Sequence, residues 1–260
     1  MTYLPDPPAI VFDVGTSTTR AGFATSPSPQ AILATAAVPL PAKALTPWDD
    51  MERLTGDTAL RACAGLGCEP AWALERGVVA DWSVQEAVWS DCYTRCLKTD
   101  SSQHAVLLSA PSQGAPEARE AAAEILFETF DVPALAVADS ALLTLYYAWG
   151  KTTENLSPSS PRSRRPTSLT GLVLDCGEAR SCVVPVVDGR VLAEGTRVST
   201  LGGAALSLRC ASLLAAGRAG PPPAGLAAMA RRVKESACYV AGRGDKKGLG
   251  EAVVEGIDLW

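Results

Sequence analysis

The sequence predicts an α/β protein made of two related halves that face each other across a cleft. Three observations carry that expectation. An apolar strand ending in Asp-x-Gly occurs twice, as "AIVFDVG" from Ala9 and as "GLVLDCG" from Gly171. Each copy continues into a polar tip and a second apolar run, the pattern of a hairpin. Between residues 81 and 150, helical and strand patterns alternate.

The elements follow in order. Ala9 to Val14 forms the first strand and Arg20 to Ala24 returns beside it, around a Gly-Thr-Ser-Thr-Thr tip. Residues 25 to 80 carry scattered Pro, Gly and short apolar patches, which allow strands and loops but no long helix. "DWSVQEAVWSDCYTRCL" reads as a helix, with Ser83 and Glu86 as a capping box and Val84, Val88 and Cys92 on one face. "AVLLSA" reads as a buried strand. Pro116 opens the helix "PEAREAAAEILFETF", which Asp131-Val132-Pro133 closes. "ALAVA" reads as another buried strand, leading into the helix "SALLTLYYAW".

Residues 151 to 170 are dense in Ser, Pro and Arg and are expected as a disordered loop. The second copy then gives a strand, a tip, a second strand, an Asp188-Gly189 turn and a third strand. Helices through "AALSLRCASLLAA" and "GLAAMARRVKESACYVA" flank a Pro-rich loop, and a Gly- and Lys-rich tail follows. Asp13 matches Asp175 and Gly15 matches Gly177, an internal duplication of supersecondary structure. The second copy is expected to be truncated, because the β-α-β-α of the first has no counterpart before Trp260. The expected organisation is a first domain over 1–150 with 31–77 as a small inserted subdomain, the loop 151–170, and a second domain over 171–260.

At 260 residues and 47% apolar, the chain can supply a real core. A net charge of -5 gives no long-range attraction to nucleic acid or anionic lipid, so neither is expected as a partner. No apolar run approaches the length of a membrane span, and "MTYLPDPP" lacks the basic start and apolar centre of a signal peptide. The expected location is the cytosol or nucleus, where the eight cysteines would be thiols. Cys63, Cys68, Cys92 and Cys96 are the only set with ligand-like pairing. Their spacings are wide for structural zinc, and the single histidine, His104, lies outside them. Cys92 and Cys96, one helical turn apart, read instead as small apolar residues on a buried face.

The paired tips carry the chemistry. Two opposed sets of backbone N–H groups suit a polyphosphate. Gly15 lets the backbone approach the anion, Thr16, Ser17 and Thr18 add hydroxyl donors, and Arg20 adds charge. Asp13 and Asp175 would hold the waters of a divalent cation.

The strand-and-turn pattern, "GFA", "RGVVADW", "AVLLSAP", "FETFDVPALAV", "LTLYYAWGKTT", "VPVVDG" and "VKESACYVA" run in the order found in actin and actin-related proteins, which the chain resembles over nearly its whole length. The resemblance implies an actin-like ATPase fold, a duplicated ribonuclease H-like α/β architecture with two domains around a nucleotide cleft. It implies that Gly15, Thr16, Ser17 and Thr18 cradle ATP phosphates, with Asp13 near the metal and Arg20 in place of a phosphate-contacting lysine. Arg keeps that charge but enlarges the head group.

By the same resemblance, Asp175, Cys176 and Gly177 begin a second phosphate loop, with Glu178 and Ala179 where the family carries Asp and Gly. Lys234 and Glu235 match the pair that contacts base and ribose. Ser140 stands where the family has a water-positioning glutamine. The implied protein is an actin-like cytoskeletal or scaffold protein with a degenerate ATP-binding cleft, taking ATP or ADP with Mg2+ and hydrolysing little or none. Its implied partners are proteins, actin or cytoskeletal regulators among them. Two alternatives stay open: a remnant that binds no nucleotide and acts through protein contacts, and a working ATPase or phosphotransferase with Asp139 as general base.

Overall fold

A computed structural model describes residues 7–39, 53–66, 68–154, 168–216 and 226–239. It divides into two compact units, Met1–Gly203 and Ala204–Trp260. The first unit opens with β1 (Ile10–Val14), β2 (Thr18–Phe23), β3 (Ala31–Ala34), β4 (Ala36–Pro39) and β5 (Arg53–Thr55). Helix α1 (Gly56–Leu66), the short strands β6 (Ala71–Trp72), β7 (Leu74–Glu75) and β8 (Val78–Val79), and α2 (Trp82–Asp91) follow. After α2 the chain continues as a π-helical turn over Cys92–Leu97, then forms β9 (Val106–Ala110), α3 (Pro116–Glu128), β10 (Leu135–Asp139) and α4 (Ser140–Glu154). The second half supplies β11 (Gly171–Cys176), β12 (Ser181–Val187), β13 (Arg190–Val191) and β14 (Arg197–Ser199). Helix α5 (Gly203–Ala215) begins at the last residue of the first unit, and α6 (Leu226–Ala237) lies in the second.

Five strands form the main sheet in the order β10-β9-β1-β2-β3. β1 runs antiparallel to β2 and parallel to β9. Strand alternation turns Ile10 and Phe12 into an aromatic core with Trp89, Tyr93 and Phe130, where the Phe12 and Tyr93 rings lie 5.4 Å apart. The same alternation sends Val11 and Asp13 to the opposite face. The second sheet is built on the β11–β12 hairpin, with β13 and β14 paired to β12. Val173, Val184 and Val186 pack there against Ala141 of α4. A Cβ on Gly171 would come within 2.9 Å of the end of the Leu145 side chain on that helix, so a larger residue at the start of β11 would make that leucine shift.

Several expectations need correction. Helix α1 forms inside the stretch read as free of long helix, because Ala59 and Cys63, four residues apart, bury against Val38. Helix α2 is not capped by Ser83 and Glu86. Asp81 is its N-cap, accepting the N–H of Ser83 and Val84, and the Ser83 hydroxyl also donates to that carboxylate. The Ser83 hydroxyl, and after it the two amides, hold the Asp81 carboxyl below its ordinary value. β10 is not buried but is the edge strand, with Val137 exposed, because β9 covers only one of its sides. Helix α4 runs on through Glu154, four residues into the stretch expected as a loop. Residues 155–167 of that stretch and the tail from residue 240 lie outside the described residues. β14, which the sequence did not announce, pairs with β12 beside the second tip.

Candidate functional site

The two Asp-x-Gly tips share one construction. The Gly15 N–H donates to the Thr18 carbonyl at 3.0 Å, and the Gly177 N–H donates to the Arg180 carbonyl at 2.9 Å. Register repeats as well: Asp13 pairs with Arg20 across the first hairpin and Asp175 with Cys182 across the second. Each tip is then held from behind. At the first, Thr35 donates its hydroxyl to the Gly15 carbonyl at 2.8 Å and its N–H to the Ser17 carbonyl at 3.0 Å. With the Thr35 proton so used, the Thr19 hydroxyl is the donor in the buried 3.0 Å contact between the two threonines. At the second tip, the Gly203 N–H donates to the Gly177 carbonyl at 3.0 Å, and a Cβ on Gly202 would stand 2.5 Å from the Glu178 carbonyl oxygen. Only glycine fits at 202.

Strand alternation puts Val11 and Asp13 on the same side of β1, and Val173 and Asp175 on the same side of β11. All four line one cavity of about 470 Å³ in the first unit, which Ser140 at the start of α4 also lines. Arg180, from the second tip, is the one cation on its wall among the described residues. The Arg180 guanidinium also packs along the β7–β8 turn, where a Cβ on Gly77 would be 3.4 Å from its Nε.

Charges at the first tip are arranged differently. The Arg20 guanidinium donates to the Asp13 carboxylate at 3.3 Å, with both side chains about half exposed. Ser112, which lines the cavity, donates to the Asp139 carboxylate at 2.7 Å, and the Ala141 N–H donates to the same oxygen at 2.9 Å. Asp139 therefore caps α4, and Ser140 is its first helical residue.

Sequence comparison places this architecture. The family model described as actin matches residues 5–237. The chain belongs to the actin family. It is similar to actin-related protein 3 of Drosophila melanogaster, at 32% identity over 90% of this chain and 55% of the relative. Actin-related protein 3 of Caenorhabditis elegans and of Acanthamoeba castellanii are each 31% identical over the same shares. The chain thus spans about half the length of the curated relatives it matches.

Of the residues that the actin resemblance singles out, the cavity brings together Asp13, Asp175 and Ser140. Gly15, Thr16, Ser17, Thr18, Gly177 and Glu178 form the tips at the ends of its strands rather than its wall. Arg20 stands outside the wall, paired with Asp13. Lys234 and Glu235 lie on α6 of the second unit, where Glu235 is exposed and accepts from Arg231 at 3.0 Å. Among the described residues no three His, Cys, Asp or Glu side chains converge on one point that could hold a metal ion, and no helix is long and apolar enough to cross a membrane. Sequence reading missed Arg180, whose position in the tip carries no pattern of its own, and it missed Thr35 and Gly202, which act on the tips from distant segments. His104 is structural: its Nδ1 is 2.8 Å from the Pro8 carbonyl and its Nε2 is 2.7 Å from the Thr99 hydroxyl.

Proposed function

We propose that this actin-family chain serves as a cytoskeletal scaffold whose cleft binds ATP or ADP with Mg2+ and hydrolyses ATP very slowly or not at all. One observation carries the reading: two carboxylates from duplicated hairpins, Asp13 and Asp175, line a single cavity together with Arg180. Carboxylate oxygens suit a hard divalent cation that keeps most of its water. When bound, the cation would neutralise part of the charge on the phosphates.

The chain's own residues do the rest. Asp13 and Asp175 accept hydrogen bonds from water around the cation, and Arg180 donates to phosphate oxygens, the role that the resemblance gave to Arg20. Arg20 instead positions the Asp13 carboxylate. Gly15, Thr16, Ser17 and Thr18 with Gly177 and Glu178 form the two loops proposed to face phosphate; Lys234 and Glu235 carry a base and ribose role by the resemblance alone.

Slow hydrolysis follows from positioning. Ser140 is too short to orient an attacking water as a long amide side chain would. Asp139 is the other candidate base, but its carboxylate is already engaged by the Ser112 hydroxyl and the Ala141 amide, which argues against the ATPase or phosphotransferase alternative. The remaining alternative, protein contacts without nucleotide, draws on the Asp13–Arg20 pair, which occupies the carboxylate in the resting chain. The relatives' shared name, actin-related protein 3, supports taking actin-related proteins as the proposed partners and the cytoplasm as the proposed location.

The experiment is a thermal-denaturation titration with Mg-ATP followed by single-turnover phosphate release. Saturating Mg-ATP at a hundred times its Kd should stabilise the folded chain by about 2.7 kcal/mol, and Asp13→Ala or Asp175→Ala should each abolish most of that gain. No shift in the wild type overturns the nucleotide reading in favour of protein contacts alone. Rapid phosphate release in the wild type that disappears in Asp139→Asn restores the ATPase.

A further inference from the structure

A pair of thiols stands apart from the cleft. Cys63, on the last turns of α1, is 3% exposed and packs with Val38 and Ala59. Cys68, just beyond the helix, is exposed, and its thiol donates to the Cys63 sulfur at 3.1 Å. The backbone already supports this approach, since the Cys68 N–H donates to the Cys63 carbonyl at 3.1 Å. A disulfide brings its sulfurs to about 2.05 Å, so side-chain rotation of about 1 Å closes the gap.

We propose that Cys63 and Cys68 form a redox-active dithiol that closes to a disulfide by exchange with a low-molecular-weight disulfide such as glutathione disulfide. The two members divide the work by exposure. The Cys68 thiolate attacks one sulfur of glutathione disulfide, that S–S bond breaks, and one glutathione thiolate leaves. Cys63 then loses its proton to solvent and attacks the Cys68 sulfur, displacing the second glutathione thiolate. Both thiolates take up protons, so two protein thiols are oxidised and one glutathione disulfide is reduced to two glutathione thiols.

Burial, and after it the neighbouring Cys68 sulfur, push the Cys63 thiol up to about 11. The resting pair is therefore entered only from Cys68. Converting Cys68 to a mixed disulfide removes its contribution, which favours the second step. The closed ring would tie the end of α1 to the segment that leads into β6, a strand paired with β4.

The test uses the full chain incubated with glutathione disulfide, acid-quenched, alkylated with N-ethylmaleimide and digested with trypsin. Cleavage after Arg61 and Arg76 leaves both cysteines in one peptide, Ala62–Arg76. In the wild type that peptide should appear unalkylated and lighter by two hydrogen atoms, and dithiothreitol should restore its double alkylation. Cys63→Ser should leave it carrying a stable glutathione adduct at Cys68. In Cys68→Ser, modification of Cys63 should slow by at least about tenfold, since only the buried thiol remains. A wild-type peptide that stays doubly alkylated while other cysteines take up glutathione, or one that stops at the mixed disulfide, overturns the proposal.

Discussion

The β1–β2 hairpin and the β11–β12 hairpin have the same tip, the same strand register and the same carboxylate, yet they sit in unlike surroundings. β1 is paired on both sides, by β2 and by β9, and its inward residues join a cluster rich in aromatic rings. β11 has β12 as its only partner among the described residues, and its inner residue Val173 meets Ala141, Val184 and Val186. Leu172 and Leu174, on the other face of β11, are 68% and 67% exposed. The turn inside each tip is set locally, by a glycine and one backbone hydrogen bond, while its clamp and its stability depend on what other segments pack around it.

The largest expected contrast is in core truncation. Phe12→Ala removes a fully buried ring that touches Trp89 and Tyr93, and should destabilise by about 3–5 kcal/mol. Val184→Ala, in the smaller cluster under the second hairpin, should cost no more than about 2 kcal/mol, since it deletes two methyl groups beside a half-exposed sheet. Denaturant midpoints on both variants measure this directly. Equal losses would mean that the second hairpin is as tightly packed as the first.

Hydrogen exchange should separate the regions next. Amides of β1 and β9 lie in the middle of the main sheet, whereas β11 opens along an edge. Protection of β1 and β9 should exceed that of β11 by roughly a hundredfold, the signature of local opening in the second hairpin. Matching protection would show that the exposed leucines are covered in solution.

How much of this was legible in the sequence depended on how local each feature was. The strands that carry Asp13 and Asp175 could be read because alternation, a tip and a glycine all lie within ten residues. α1 could not, because its buried face is made of Ala59 and Cys63, too small to stand out as a periodic stripe. The edge position of β10 was hidden for a different reason: "ALAVA" is apolar, and only sheet order leaves Val137 in the open. At the site, the resemblance carried a cation at Arg20, but the cross-strand register seats that guanidinium on Asp13 and leaves Arg180 on the cavity wall. Pairing of that kind is fixed by the cross-strand register of the hairpin, which residue type alone does not encode.

A finer comparison replaces the two tip glycines. A Cβ on Gly15 would meet the Thr18 carbonyl oxygen at 2.9 Å, while one on Gly177 would meet the Arg180 carbonyl oxygen at 3.3 Å. The first contact requires the backbone to move against the Thr35 clamp. Gly15→Ala should therefore cost about 1–3 kcal/mol and Gly177→Ala clearly less, read as separate thermal midpoints. A larger loss at Gly177 would show that the second tip, through Gly202 and Gly203, is the more rigid of the two.

The smallest effect concerns acid. In the first half, Asp81 caps α2, and its carboxyl is held below the ordinary value of 3.8 by the Ser83 hydroxyl and then by the amides of Val84 and Ser83. A group whose folded value lies below its unfolded value stabilises fully above the unfolded value and loses that contribution as pH falls through the folded one. At the second tip the Ser181 hydroxyl donates to the Leu201 carbonyl at 2.6 Å and the Gly203 N–H to the Gly177 carbonyl at 3.0 Å, hydrogen bonds between groups that do not titrate in that range. Asp81→Ala should cost about 1 kcal/mol at neutral pH, and the difference from wild type should shrink as the solution is acidified below the ordinary carboxylate value. Exchange followed across that range should show α2 loosening in the wild type. A penalty for Asp81→Ala that stays constant through the acid range would mean that the aspartate acts by shape rather than by charge.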